Sequence, residues 1–316
     1  MSDSVKVYWN NICLISRLEE KYIKEEVRKS DIDIQFEYFG LGREKKLSEQ
    51  IRTERDNGEI NADIILTTDL DVFQDKRLLF NEIENFENLK HMERLFPVRK
   101  EIKESEIPYE KGFISPFITI PLVIVVNKGL LNGCEIPESF EQLCDERYKG
   151  KVVYGGIDTS AGRSLLMSMW YMYGGNMLED FMGNSVAASM PASAFNLVMK
   201  GQFPIAIVPS IFALRMGLGN LSGVWPVDGA ISIPSYLAVK KGTTREILEF
   251  MSEKILSKDK QELLTSNANI IPSHPTADIP AWADDNDCKL VYPSWKWIES
   301  LDYEYFDEIC KKVRLI

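Results

Sequence analysis

The chain has 316 residues, 45% hydrophobic and 27% charged, with a formal net charge of −11. That length exceeds what one hydrophobic core usually supports, so two bodies of about 100–200 residues each are expected. The negative charge disfavours non-specific binding to nucleic acid or to an anionic membrane surface, and the longest apolar stretch, Ile118 to Val126, is too short to cross a bilayer.

The segment Met1 to Trp9 lacks the basic region, apolar run and cleavage site of a secretory leader. The expectation is therefore a cytoplasmic chain, or an exported one, at the periplasmic or extracellular membrane face, whose leader was trimmed. The first half then alternates strand and helix patterns: Val5–Tyr8, an amphipathic run from about Leu14 to Val27, Ile32–Tyr38, a charged helix near Arg43 to Arg55, and Ala62–Thr67. Period-2 and period-3.6 patterns taking turns predict βαβ units and a largely parallel sheet. Ligands of such sheets lie beyond the carboxyl ends of the strands, which here carry Trp9, Asn10 and Asn11, then Thr67, Thr68 and Asp69.

The run Phe113–Lys128 is long enough to cross between two bodies, and Pro116 and Pro121 argue against a central ladder strand throughout it. A second alternation follows: a helix around Ser139–Cys144, a strand Lys151–Tyr154, a helix opened by Ser160, another from Pro191 to Lys200, and a strand Phe203–Pro209. Gly223–Val239 is a second extended run, and from about Thr244 the chain is helical and returns to the first body. The pattern is that of an α/β protein of two lobes, with 1–118 and 229–316 forming the first and an inserted 119–228 the second. Trp295, Trp297, Ile298, Leu301, Tyr305, Phe306 and Ile309 have helical spacing and predict a C-terminal amphipathic helix docked on the first lobe.

Within the second alternation, Val153–Met167 runs a strand into a helix through a turn rich in Gly, Ser and Thr. Thr159 or Ser160 can cap the helix, Gly162 lets a ligand approach the backbone, and first-turn amides such as that of Ala161 point outward with the positive end of the helix dipole behind them. Arg163 adds a fixed positive charge, so this turn is read as an anion site. Chemistry has little to draw on. Cys13, Cys134, Cys144, Cys288 and Cys310 show no CxxC spacing, and only His91 and His274 are present. Ser160 and Cys13 have no histidine nearby in sequence to act as a base, so no catalytic residue, metal or cofactor is expected.

Over nearly the whole chain these residues resemble the extracytoplasmic solute-binding proteins of ABC transporters, in the branch with ferric-iron, polyamine and phosphonate or sugar-phosphate binders. The markers are Ala62–Asp69, Val125–Lys128 leading to Pro137–Leu143, Tyr148–Val152, Ser160–Gly162, Leu197–Ala206, Trp225–Ala230 and Ile271–Pro275. The resemblance implies a two-lobed type II periplasmic-binding-protein fold: each lobe is a mostly parallel sheet flanked by helices, two crossover strands form the hinge, and the lobes close on a solute. It implies a monomer that binds a small molecule, docks on a membrane permease and catalyses nothing, with no nucleic-acid partner. It places cleft contacts at Trp9, Asn10, Thr67 and Thr68 on one side and Thr159, Ser160, Ala161, Gly162, Arg163, Ser210 and Phe212 on the other. Ser193, two residues past Pro191, offers a further hydroxyl, and Asp228, near the second crossing, is positioned to touch a ligand amine or hydroxyl. Ferric-iron binders of this branch place adjacent tyrosines where this chain reads Ser210–Arg215, so an anionic or polyhydroxylated solute fits better than iron. A polyamine would be opposed by Arg163. A leaderless sensor of the same fold and an enzyme on this scaffold are the alternatives.

Overall fold

The structure is a computed structural model that describes residues 4–11, 16–40, 45–217 and 219–316. Cys13, the start of the first amphipathic run at Leu14 and the start of the second helix at Arg43 lie outside them.

The strands are β1 (Val5–Asn11), β2 (Ile34–Gly40), β3 (Ile64–Thr67), β4 (Ser115–Asn127), β5 (Val152–Gly155), β6 (Ser185–Ala188), β7 (Ile205–Pro209), β8 (Leu221–Val224), β9 (Ala230–Val239), β10 (Ile271–Pro272) and β11 (Leu290–Val291). The helices are α1 (Ser16–Lys29), α2 (Leu47–Asp56), α3 (Asp71–Gln74), α4 (Lys100–Lys103), α5 (Ser160–Asn184), α6 (Pro191–Met199), α7 (Arg245–Phe250), α8 (Lys258–Ala268), α9 (Ala281–Asp284), α10 (Trp295–Ser300) and α11 (Tyr303–Lys311).

Two sets of strands meet on β4. In the first, β2, β1 and β3 are parallel neighbours, and β9 joins antiparallel between β3 and the first half of β4. In the second, β6, β5 and β7 are parallel, and β7 and β8 run antiparallel to the second half of β4. Each set is a lobe, and its parallel strands are buried between helices, which is why β3 and β5 are apolar without alternation. The two prolines of β4 sit where its ladder changes. The register shifts between Pro116 and Ile118, and Pro121 is the last residue paired with β9 before Leu122 takes up β7. A residue without an N–H is tolerated at such breaks, so β4 remains one strand of 13 residues. The second extended run is instead divided: β8 ends at Val224, and the chain turns through Gly229, whose φ of +104° favours glycine, before β9.

Three expectations need correction. The helix expected at Ser139–Cys144 is a short 3-10 turn over Glu141–Cys144, because Asp145 stops it and caps the following turn through the Arg147 N–H. The C-terminal helix is two helices, since Asp302 accepts hydrogen bonds from the N–H groups of Glu304 and Tyr305 and so begins α11 afresh. Nor does that segment dock on the first lobe alone. Trp170 of α5 meets the rings of Trp297 at 5.6 Å and Phe306 at 6.3 Å, and the Ala187 N–H of β6 donates to Arg314 O at 2.8 Å while the Ile316 N–H donates to Ala187 O at 3.0 Å. Residues 314–316 thus extend the second lobe's sheet beside β6.

Candidate functional site

The strand ends and helix starts of both lobes border one cleft with a volume of about 560 Å³. Its floor is Ile120 of β4 and Ile233 of β9, the two strands that carry the chain between lobes.

On the first lobe, β1 presents Asn10 to the cleft. Trp9 is one residue earlier and points the other way: it is 2% exposed and packs on Phe36, Tyr38 and Phe117. Its expected place in the cleft is corrected by the strand's period of two, which sends neighbours to opposite faces. Thr67 is fully buried and its hydroxyl accepts the Asp69 N–H at 2.8 Å, shaping the turn after β3, whereas Thr68 borders the cleft. Asp69 in turn accepts the Ser48 N–H at 3.1 Å and so holds the N-terminus of α2 at the cleft edge. Beside it, Lys46 approaches Asp158 of the opposite lobe at 3.9 Å.

On the second lobe, Thr159 caps α5: its hydroxyl accepts the Gly162 N–H at 3.3 Å and donates to Gly156 O at 2.6 Å. Gly162 is not a point of ligand approach. A Cβ there would lie 2.3 Å from Gly156 O and 2.5 Å from Gly155 O, so this glycine seats the helix against the turn that follows β5. Thr159, Ser160, Ala161 and Arg163 border the cleft. The Ser160 and Ala161 N–H groups have no acceptor among the described residues, as expected of a helix start. One turn on, Ser164 also borders the cleft, 4% exposed and with a hydroxyl that has no hydrogen-bond partner among the described residues.

Arg163 spans the lobes. Its Nε donates to Asp71, 2.9 Å from Oδ2, its second arm donates to Asp307 Oδ1 at 3.0 Å, and the Phe306 ring lies 4.9 Å beneath it. Burial works against that charge, but Asp71, Tyr303 and Asp307 outweigh it and raise the guanidinium pKa. The Asp71 carboxyl is pushed up to about 6 by burial, against the pull of Arg163. Asp307 also accepts from Arg77 at 2.7 Å, and the Tyr303 hydroxyl donates to Asp71 at 3.2 Å.

Lys45, Glu49 and Gln74 add polar groups on the first lobe, and the wall of the second is apolar: Ile157, Met167, Met190, Ile211 and Phe212, the last stacked on Phe195 at 4.9 Å. Three expected contacts lie elsewhere. Ser193 faces Ser189 at 3.2 Å outside the cleft lining, and Ser210 is buried, donating to Asn269 O at 2.7 Å. Asp228 accepts the Phe140 and Glu141 N–H groups at 2.8 and 3.2 Å, together with the Tyr173 hydroxyl, and so pins the second crossing to the protein. Sequence reading missed Lys46, Asp71 and Ser164. The available signals were the four-residue step from Ser160 to Ser164, which puts both on one helical face, and the position of Asp71 just after a strand end.

No tyrosine, histidine or cysteine borders the cleft among the described residues, and no cluster of three His, Cys, Asp or Glu side chains placed to hold a metal occurs among them. Residues 59–308 match the model of a family described as bacterial extracellular solute-binding protein. The chain belongs to that family. No curated protein matches the sequence. Solved structures of this solute-binding class share the fold: a ferric binding protein from Campylobacter jejuni (15% identity, 98% of this chain and 99% of that one covered, TM-score 0.71), iron-bound HitA from Pseudomonas aeruginosa (17%, 95% and 98%, 0.68), and AfuA from Actinobacillus pleuropneumoniae with fructose-6-phosphate bound (16%, 98% and 98%, 0.67). The family is that of the solute-binding proteins of ABC importers, and the mixed α/β architecture found here matches theirs. No helix among the described residues is long and apolar enough to cross a membrane.

Proposed function

We propose that this solute-binding protein delivers to its permease a small organic anion, held with its charged group at the N-terminus of α5 and its carbon body against the apolar wall. One observation carries the reading. Among the described residues the Ser160 and Ala161 N–H groups have no acceptor and the Ser164 hydroxyl beside them, which borders the same cleft, has no partner. A helix start is a ready anion site, and a buried hydroxyl without a partner costs free energy until something pairs with it. Of the four acids that border the cleft, Asp71 is paired with Arg163, Asp69 is engaged by α2, Glu49 accepts the Lys46 N–H and Asp158 faces the Lys46 ammonium, so each has a partner. Facing groups are Asn10 and Thr68, and Ile120, Ile211, Phe212 and Ile233 suit a hydrocarbon or ring portion better than a bare ion.

In this reading residues 119–228 form the closing lobe, the protein acts as a monomer, and solute favours closure because contacts from both lobes exist only when the cleft is shut. The cleft set comprises Asn10, Thr68, Thr159, Ser160, Ala161, Ser164 and Phe212, with Arg163 acting through its neighbours. The similar structures of iron-bound HitA and of AfuA with fructose-6-phosphate support the range of cargo, and the polar turn of α5, with no tyrosine bordering the cleft among the described residues, favours the second kind.

The test is a thermal-shift panel of organic phosphates, phosphonates and carboxylates, with spermidine and ferric citrate as counter-ligands. Binding to the folded state raises Tm with ligand concentration. An organic anion is expected to raise Tm without being consumed. Stabilisation by the polyamine or by ferric iron alone overturns the anion reading, and turnover of the stabilising compound overturns the binding role.

A further inference from the structure

A second chemical site lies at the opposite end of β5 from the cleft. The Lys151 ammonium donates to Cys134 Sγ at 2.7 Å and to Arg147 O at 2.6 Å. The backbone of both residues is fixed. The Cys134 N–H donates to Leu131 O at 3.0 Å in a turn where Asn132 and Gly133 take positive φ, and Lys151 donates its N–H to Tyr148 O at 2.9 Å and accepts Ile205 N–H at 3.2 Å. No carboxylate pairs with Lys151 among the described residues, although Arg147 and Lys149 beside it both have acidic partners. Cys134 is a free thiol, half-buried and therefore within reach of solvent.

We propose that Cys134 and Lys151 form an oxidation-dependent covalent link in which one oxygen atom bridges Sγ and Nζ. The oxidant is a peroxide. The first equivalent converts the thiol to a sulfenic acid and releases water. After Lys151 gives its extra proton to solvent, a second equivalent oxidises the nitrogen, which loses one hydrogen as the sulfenic oxygen becomes the bridge. In total, thiol, amine and two hydrogen peroxides give the S–O–NH link and three waters: one S–H, one N–H and two O–O bonds break, and the S–O and O–N bonds form. The other described cysteines are poorly placed for the first step, because burial pushes the Cys144 thiol up to about 12 and those of Cys288 and Cys310 up to about 11. The link joins the turn after β4 to the start of β5 and closes the intervening loop without touching the solute cleft.

The test is titration of the purified protein with hydrogen peroxide, followed by tryptic peptide mapping with and without dithiothreitol. The expected product joins the Cys134 and Lys151 peptides with a gain of about 14 Da (one oxygen added, two hydrogens lost), blocks cleavage after Lys151 and is undone by the thiol. It is accompanied by a rise in Tm of about 5 °C, as expected for a cross-link over a loop of this size. Cys134→Ser and Lys151→Arg, each first shown to unfold at the parent temperature before oxidation, are expected to abolish both changes. Peroxide that oxidises Cys134 only to sulfenic, sulfinic or sulfonic acid while trypsin still cleaves after Lys151, or that leaves Cys134 untouched, overturns the proposal. Solute binding plays no part in this readout.

Discussion

Arg163 and Asp71 approach to 2.9 Å across the cleft, so the first turn of α5 and the single turn of α3 are joined by charge where the lobes meet. Both side chains are mostly buried, and Asp307 and Tyr303 complete the cluster. Arg163→Ala leaves Asp71 without its cation, while Asp307 keeps Arg77, and is expected to destabilise the fold by about 2–3 kcal/mol, less than a fully buried pair because water still reaches the edge. Urea unfolding of Arg163→Ala, Asp71→Asn and the double variant measures it. Additive effects would show that the pair is not coupled.

The same carboxylate gives stability a pH dependence. Its folded pKa of about 6 lies above the ordinary value near 4, so the folded state binds the proton more tightly, and this contribution to stability is lost as pH rises from about 4 through 6. Asp307 has the opposite sign, because Arg77 and Arg163 overcome burial and lower its pKa. Asp71→Asn removes only the first contribution. Its stability relative to the parent is expected to rise by about 1–2 kcal/mol between pH 4.5 and 6.5. A difference that is flat, or that falls, over that range would place the Asp71 pKa at or below the ordinary value.

Gly162 separates packing from binding. Adding a methyl group there drives it into the carbonyl oxygens of Gly155 and Gly156, which are backbone atoms and cannot swing aside. Gly162→Ala is expected to cost about 3 kcal/mol and to lower Tm even without solute. Unchanged thermal unfolding would mean that the helix start is free to shift.

Ser160→Pro, compared with Ser160→Ala, tests the anion reading at one backbone N–H. Proline suits the first helical position, and Thr159, with φ −113° and ψ 152°, already has the extended backbone that a following proline demands. Relative to Ser160→Ala, which lacks the same hydroxyl, the substitution deletes one N–H of the helix start and is expected to weaken anion binding about fivefold to tenfold while Tm without ligand holds. Calorimetric titration with the stabilising anion decides it, and unchanged affinity would remove the Ser160 amide from the site.

Much of the fold was legible because β1, β2, β3 and α5 carry local signals: alternation, a capping threonine and apolar runs bounded by Gly and Pro. β6 was missed and β8 was merged into the run ending at Val239, because strands of four residues are too short for a period to show and their pairing with β5 and β4 is a tertiary fact. The cleft was readable as a set of strand ends, but the individual side chains were not. Trp9 and Asn10 differ by one residue and face opposite ways. Ser210 and Asp228 have the chemistry of ligand contacts and use it on Asn269 and on the Phe140 and Glu141 amides. Arg163 was visible as a cation, yet only the folding of residue 71 against residue 307 shows that its charge is already answered.

The pairing of Leu315 beside Ala187 has a bearing on biogenesis. Ribosomes make β6 long before its neighbour, so during synthesis that border offers bare amides and carbonyls to any other nascent chain. A chaperone that shields the gap until residues 314–316 arrive would have its task defined by this late seam.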